Sequence, residues 1–515
     1  MSSTEARSGF DRALIATSFV VVLGSIMSIL DTTIVNVAID HLAQDFNTSL
    51  STIQWVSTGY LLSLAIVIPL SGWAADRFGT KRLYLISIAL FLLGSALAGA
   101  AWSAGSLIAF RILQGLGGGM IMPAGMTILT QAAGPQRVGR VMSVVGVPML
   151  LGPVIGPILG GWLVDDISWR WIFYVNVPVG IVALMAAWRL LPRDRPEPSQ
   201  RLDVLGFALL SPGLGAFVYG LAETTSSGGF GSAKALGPML AGLVLIVLFV
   251  LHSLRASTPL IDVRLFKNRV FTGSALTTFT FGTAFYGAML LFPLYYQTVR
   301  GQSALSAGLL IAPQGIAAAM MMPVAGRLTD RVGAGKVVLS GLALIVLGML
   351  AFTQVAGHTS YVWLGAALFV TGLGMGSTMM PAMSAAYQTL DRAAIARATT
   401  TLNIVMRTGG SIGTAVLAIV LQHQLTDRFG DVNGGGIAAA QSASAEHAPG
   451  FAGNAAHAFG NSFWWSVGLL VAAFCAALLL PRKPVTPPPS SGVPRGDGEP
   501  AEQADEREPV GAFEV

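Results

Sequence analysis

Two charges stand inside stretches that are otherwise apolar. Asp31 interrupts the run 13–40 and Arg111 the run 105–132. A carboxylate at membrane depth is unfavourable; where one occurs it usually faces the bundle interior or water and often serves ion coupling. Low dielectric favours its protonated form and an approaching cation its ionised form. Asp31 would thus trade a proton for substrate; the same residue also fits a permanent buried salt bridge or a helix-packing hydrogen bond. The first run exits outward near Asp40, and the second enters from outside near Gly105. At 1.5 Å per residue, Asp31 then lies about 13 Å and Arg111 about 9 Å below the outer end. The two can share a level on adjacent helices, and Arg111 is the expected partner.

Other polar groups are candidates for a substrate path: Asn36, Gln54, Tyr60, Gln114, Gln297, Gln314, Asn403 and Arg407. Polar and aromatic residues in a membrane bundle also serve packing and interfacial belts, and each of these has that alternative. Arg407, about ten residues into its run, would line the path or pair with backbone carbonyls. Gly152, Pro153, Gly156, Pro157, Gly160 and Gly161 recur at intervals of about four. Such glycines leave a flat groove and such prolines bend a helix, which by itself means no more than close packing.

The elements that must position these groups are membrane helices. The 515 residues are 53% hydrophobic and 11% charged, with mean hydropathy +0.67, whereas soluble domains carry about 25% charged residues. Fourteen runs approach or exceed the roughly 20 residues that cross a bilayer as helix. Six fall in 13–191, two in the insert 192–269 and six in 270–480, between a polar N-terminus 1–12 and a tail 481–515. The tail is Pro- and acid-rich and expected to be disordered; the segment 430–458, rich in Gly, Ala and Ser, is expected to be external and mobile. Arg77, Lys81, Arg82, Arg137, Arg140, Arg331, Lys336 and Arg397 collect on one side, so the positive-inside rule puts both termini in the cytoplasm.

Two correspondences join the sets of six. Gly72-Trp73-Ala74-Ala75-Asp76-Arg77-Phe78-Gly79-Thr80-Lys81-Arg82 recurs 254 residues later, through Gly326, Asp330, Arg331, Gly333 and Lys336. Gly115-Leu116-Gly117-Gly118-Gly119 recurs as Gly372-Leu373-Gly374-Met375-Gly376. An internal duplication explains both, and duplicated bundles rocking about a central site are a common transporter plan. In that duplication Leu368 stands where Arg111 stands, so the scaffold does not require a cation there. Asp76 would face the positive N-terminal end of a helix in the other half, the run beginning near Arg397 being the best candidate. The loops would then latch the cytoplasmic gate, and their cations would also fix topology.

These motifs resemble the major facilitator superfamily, in particular its fourteen-helix drug:proton antiporter branch of the EmrB/QacA type. Leu30-Asp31-Thr32-Thr33-Ile34-Val35-Asn36-Val37-Ala38 is similar to that branch's first-helix motif, with Asp40 replacing a usual proline. Arg111-Ile112-Leu113-Gln114-Gly115 resembles its fourth-helix motif, and the segment 152–161 its antiporter motif. Trp169-Arg170-Trp171-Ile172-Phe173-Tyr174-Val175-Asn176-Val177-Pro178 resembles its fifth-to-sixth junction. The resemblance implies an all-α membrane protein with the major facilitator fold: two six-helix bundles plus two inserted helices, 14 transmembrane helices in all. It also implies that Arg111 modulates protonation of Asp31 and that the segment 152–161 seals the interface against proton leak.

The expected activity is proton-coupled efflux of lipophilic organic compounds across the cytoplasmic membrane, by a monomer driven by the proton gradient without a cofactor. Alternatives are export of one metabolite, antibiotic or lipid-like compound, a proton-independent facilitator, or a substrate-sensing receptor. No phosphate-binding loop suggests ATP use, no His-Glu-x-x-His or cysteine cluster suggests a metal, and nothing suggests an enzyme. The pI of about 9.5 reflects loop-end cations rather than nucleic acid binding.

Overall fold

The computed structural model describes residues 12–35, 38–134, 166–192, 201–226, 231–390, 394–430 and 450–483, with scattered positions between 137 and 164. Among them are α1 (Arg12–Ile34), α2 (Trp55–Val67), α3 (Leu70–Phe78), α4 (Thr80–Gly99), α5 (Ala104–Ala133) and α6 (Asn176–Leu190). An added pair follows, α7 (Val204–Ser226) and α8 (Ala233–Arg255). The second set comprises α9 (Arg269–Leu294), α10 (Ala304–Val332), α11 (Ala334–Phe352), α12 (Tyr361–Gly376), α13 (Met379–Gln388), α14 (Ile395–Phe429) and α15 (Phe451–Ala477).

The described residues contain 12 helices long and apolar enough to cross a membrane, and a thirteenth if α2 and α3, bent by 56°, count as one span. All-helical architecture is what lipid demands, because each backbone group must find its partner inside the chain. The expected fifth span, 138–164, lies largely outside the described residues. So do Asn36, Pro153, Pro157, the first eleven residues, the segment 431–449 and the tail from 484.

The duplication is visible in the packing. α5 packs on α2 and α4, as α12 packs on α10 and α11; α6 packs on α1 and α4, as α15 packs on α9 and α11. The repeated Gly-x-Gly-x-Gly explains the first correspondence. A Cβ on Gly115 or Gly119 would strike α2 at Tyr60 O or Leu64 O, and one on Gly117 would strike α4 at Ser87 O and Phe91 N. Likewise Gly372 and Gly376 abut α10 at Gln314 O and Ala318 O, while Gly374 abuts α11 at Gly341 O. Successive odd-numbered glycines thus serve alternate neighbours, which lets three helix backbones approach closely.

Three sequence expectations need correction. The charged signature is not a loop: helix α3 runs to Phe78 and α4 starts at Thr80, so only Gly79 separates them. The same holds at Gly333, between α10 and α11. Gly79 has φ 93° and Gly333 φ 94°, a conformation in which a side chain is strained, so one residue suffices to turn the chain. The second span is broken at Pro69, which cannot donate to the helix ladder. The final helix begins at Phe451 rather than near 459, because Ala455, Ala456 and Ala458 are buried there and Ala452 packs on Gly357.

The side bearing Gly79 and Gly333 is called the motif side below. There Lys81 Nζ donates to Trp188 O at 2.8 Å and Leu191 O at 2.6 Å, capping the end of α6. The duplicate uses backbone: Gly335 N donates to Pro481 O just beyond α15. The inserted α7 packs on its mate α8 and also on α2 of the first half and α14 of the second.

Candidate functional site

Asp31 is fully buried near the end of α1, with Arg111 1% exposed on α5. Arg111 Nη1 donates to Asp31 Oδ2 at 2.6 Å and to Gln114 Oε1 at 2.7 Å. Its Nε donates to Val56 O at 3.2 Å, and its guanidinium lies 4.0 Å from the Tyr60 ring centroid. The other carboxylate oxygen, Oδ1, accepts from Gln114 Nε2 at 2.8 Å and Asn176 Nδ2 at 3.0 Å. Asn176 Nδ2 also lies 3.1 Å from Ser95 Oγ, which donates to Phe173 O at 2.9 Å. Helices α5 and α6 thus reach the carboxylate of α1 directly, and α2 and α4 hold the Arg111 and Asn176 that do so.

Magnitudes argue that this cluster is not there for stability. Interhelical hydrogen bonds in membranes average about 0.6 kcal/mol, so three to the carboxylate contribute about 2 kcal/mol. Drying an ion opposes folding by several kcal/mol. Apolar side chains of similar volume would hold the helices as well, and Leu368, buried at the duplicate position, does so.

A cavity of about 410 Å³ lies between the halves. Its walls come from α1 (Ser28, Ile29, Thr32, Thr33), α2, α5 and α7 on one side and α9 and α14 on the other. Of the expected path residues, Asn403 and Arg407 line it. Gln54 does not: it is exposed just before α2, where its polarity is spent on water. Gln297 is also exposed, in the π-helical turn Tyr295–Val299. Gln314 is buried within the second half, with Nε2 3.2 Å from Met375 Sδ, and Gln114 and Tyr60 belong to the carboxylate cluster. Composition marks a residue as polar but not which way its helix turns it. Asp31 itself is not among the lining residues, while Ser28 and Thr32, one turn or less away on α1, are.

Sequence reasoning did not single out Asn176 as a ligand of the carboxylate or Ser95 as the residue that Asn176 also contacts, nor Tyr286, Ser411 and Thr414 as cavity residues. Asn176 was legible only as a member of the junction motif. The aromatic start of that motif serves elsewhere, where Trp169 Nε1 donates to Asp45 Oδ2 at 2.7 Å and Arg170 stacks on Trp169.

On the motif side the halves meet. Arg397 Nε lies 3.5 Å from Asp76 Oδ2, and Ser71 Oγ and Thr400 Oγ1 share a 3.0 Å hydrogen bond. A Cβ on Gly72 would press against Thr400 Oγ1 and the Arg397 backbone. Asp76 therefore sits at the first turn of α14, where the helix's positive end favours a carboxylate. Arg77 is half-buried nearby, Arg82 is exposed on α4, and Asp330 and Arg331 close α10 before Gly333, with Gly326 buried upstream. Gly152, Gly156 and Gly160 each press on α1, at Ile29, Thr33 and Ile34, and Gly161 meets nothing within 4 Å. In this conformation those three glycines join the fifth segment to α1 rather than one half to the other.

Two duplicated helix bundles closing on one side over a central cavity define a multi-pass membrane transporter. The Major Facilitator Superfamily profile matches residues 21–414, and the chain belongs to that family. It is 46% identical over 417 residues to the "Multidrug resistance protein B homolog" of Mycobacterium tuberculosis (strain ATCC 25618 / H37Rv), covering 80% of this chain and 77% of that one. It is 32% identical over 432 residues to the "Multidrug export protein EmrB" of Haemophilus influenzae, covering 82% and 84%. The fold is shared with the proton:xylose symporter XylE, at TM-score 0.57 and 14% identity over 90% of this chain and 94% of that one. The human organic anion transporter MFSD10 gives TM-score 0.58 at 17% identity, over 89% and 99%.

Proposed function

We propose that this chain is a multidrug efflux pump of the fourteen-helix antiporter branch, expelling lipophilic compounds across the cytoplasmic membrane in exchange for protons. The observation that carries the reading is the Asp31 cluster, a dry carboxylate held by Arg111, Gln114 and Asn176 directly behind the cavity wall. The relatives that match over about four-fifths of the chain are named for multidrug resistance and multidrug export.

The proton and the compound act on neighbouring stripes of one helix, Asp31 standing three residues from Ser28 and beside Thr32. Protonating Asp31 removes the negative charge that holds Arg111 Nη1, so the cation shifts its weight to Gln114 Oε1 and Val56 O. Helix α1 is then freed to move, and with it Ser28 and Thr32 on the cavity wall. Loss of the proton restores the pair. The glycines at 152, 156 and 160, seated against α1, keep that movement stiff and the carboxylate dry. The latch at Asp76 and Arg397 holds the cytoplasmic side shut during one half of the cycle.

Proteoliposomes with an imposed pH gradient test this. The wild type should drive gradient-dependent uptake of a lipophilic dye into inverted vesicles, and Asp31→Asn should lose it while still binding the dye. Normal pumping by Asp31→Asn would overturn the reading, and gradient-independent flux in the wild type would replace it with facilitation.

A further inference from the structure

We infer that the cavity selects organic anions, with Arg407 as the residue that holds the negative group. The inference rests on the cavity being the site of the exported compound. Of its 21 described lining residues, Arg407 carries the only formal charge, and none is Asp or Glu. The largely undescribed fifth segment brings no acid to this depth, since 141–164 contains no Asp or Glu in sequence. Across the wall stand hydroxyl and amide groups on Ser28, Thr32, Thr33, Tyr286, Asn403 and Ser411.

Arg407 differs from Arg111 in every respect that matters here. Arg111 has a carboxylate, an amide oxygen and a backbone carbonyl. The Nε of Arg407 is buried and makes no hydrogen bond among the described residues, and Arg407 faces no carboxylate in an ion pair there. A guanidinium cannot shed its proton to escape burial, and an unmet buried donor is unfavourable. A ligand carboxylate, sulfonate or phenolate supplies the missing acceptor through a charge-assisted bond. A ligand cation would instead meet an uncompensated like charge in a low-dielectric space. The remaining wall is mainly apolar: Leu61, Leu64, Met122, Phe285, Met289 and Met406 suit a flat hydrophobic body. A volume of about 410 Å³ falls within the range of drug-sized pockets.

Two xanthene dyes of opposite charge and similar frame, fluorescein and rhodamine 123, separate the possibilities. Their binding is measured by fluorescence polarisation to the full chain in nanodiscs, with no gradient present. The wild type should bind fluorescein at least tenfold more tightly than rhodamine 123. Arg407→Gln should weaken fluorescein at least tenfold without weakening rhodamine 123, and Arg407→Lys should fall between, all three proteins sharing one unfolding midpoint. Ser411→Trp, which fills the cavity, should weaken both dyes and so locate them. Equal or tighter binding of rhodamine 123 by the wild type would overturn the inference. So would an Arg407→Gln variant with undiminished fluorescein affinity, or saturable binding of neither dye. Because no gradient is used, failure of proton coupling in Asp31→Asn vesicles leaves this result standing, and the converse also holds.

Discussion

At the scale of single residues, Asp31 and Arg111 are unequal partners. An aspartate stranded in a dry site can neutralise itself by taking a proton, whereas a stranded arginine cannot. Asp31→Leu should therefore destabilise the protein by about 3–5 kcal/mol, the range for a buried charge left unpaired. Arg111→Leu should cost clearly less, and the double replacement should come close to wild type; unfolding midpoints in one detergent rank the three. Equal losses in the single variants would show that the cluster acts by packing alone. The pair was legible because charges in apolar runs are conspicuous and helix rise converts position into depth. Asn176 and Ser95 were not, because a neutral residue carries no such mark. Gln54 and Gln297 misled for the opposite reason, since being polar near a membrane run says nothing of the direction faced.

At the scale of elements, the glycines set how near the helices come. Gly117 leans on the α4 backbone and Gly374 on the α11 backbone, so Gly117→Leu and Gly374→Leu should each force neighbouring backbones apart. Overpacking costs about 1–3 kcal/mol, and the duplication predicts losses of similar size. Gly105, with nothing within 4 Å of its Cβ position, is the control, and Gly105→Ala should leave the midpoint unchanged or slightly raised. Thermal unfolding in detergent reads all three, and a large loss in only one half would count against equivalent packing. Sequence placed most of these helices but blurred their ends. A hydrophilic signature such as Asp76-Arg77 looks like a loop, yet a single left-handed glycine lets helix run on to either side of it. The start of α15 was hidden by small residues, whose burial depends on what lies opposite.

At the scale of the molecule, the offset repeats foretold the two halves, and they show in equivalent packing: α5 on α2 and α4 as α12 on α10 and α11, and α6 on α1 and α4 as α15 on α9 and α11. What repeats could not tell is where the inserted α7 would go: it lies against α2 and α14 and contributes Val218, Leu221 and Ala222 to the cavity wall. Its apolar stripe would fit lipid equally well, so composition is silent on it. The conformation seen, shut at Ser71–Thr400 and Asp76–Arg397, gives a direct test of rocking. In a Cys475→Ser background, a disulfide between Ser71→Cys and Thr400→Cys should lock the motif side and abolish transport, with reduction restoring it. Thr414→Cys on the cavity wall then reports access. A membrane-impermeant thiol reagent should reach it from the motif side in the reduced protein, through the alternate conformation, and fail to do so once locked. Asp76→Asn, which removes the carboxylate from Arg397 and from the first turn of α14, should speed that labelling in the unlocked protein. Labelling from the motif side at an unchanged rate after locking would mean that these contacts are not the gate, and that the halves part along some other seam.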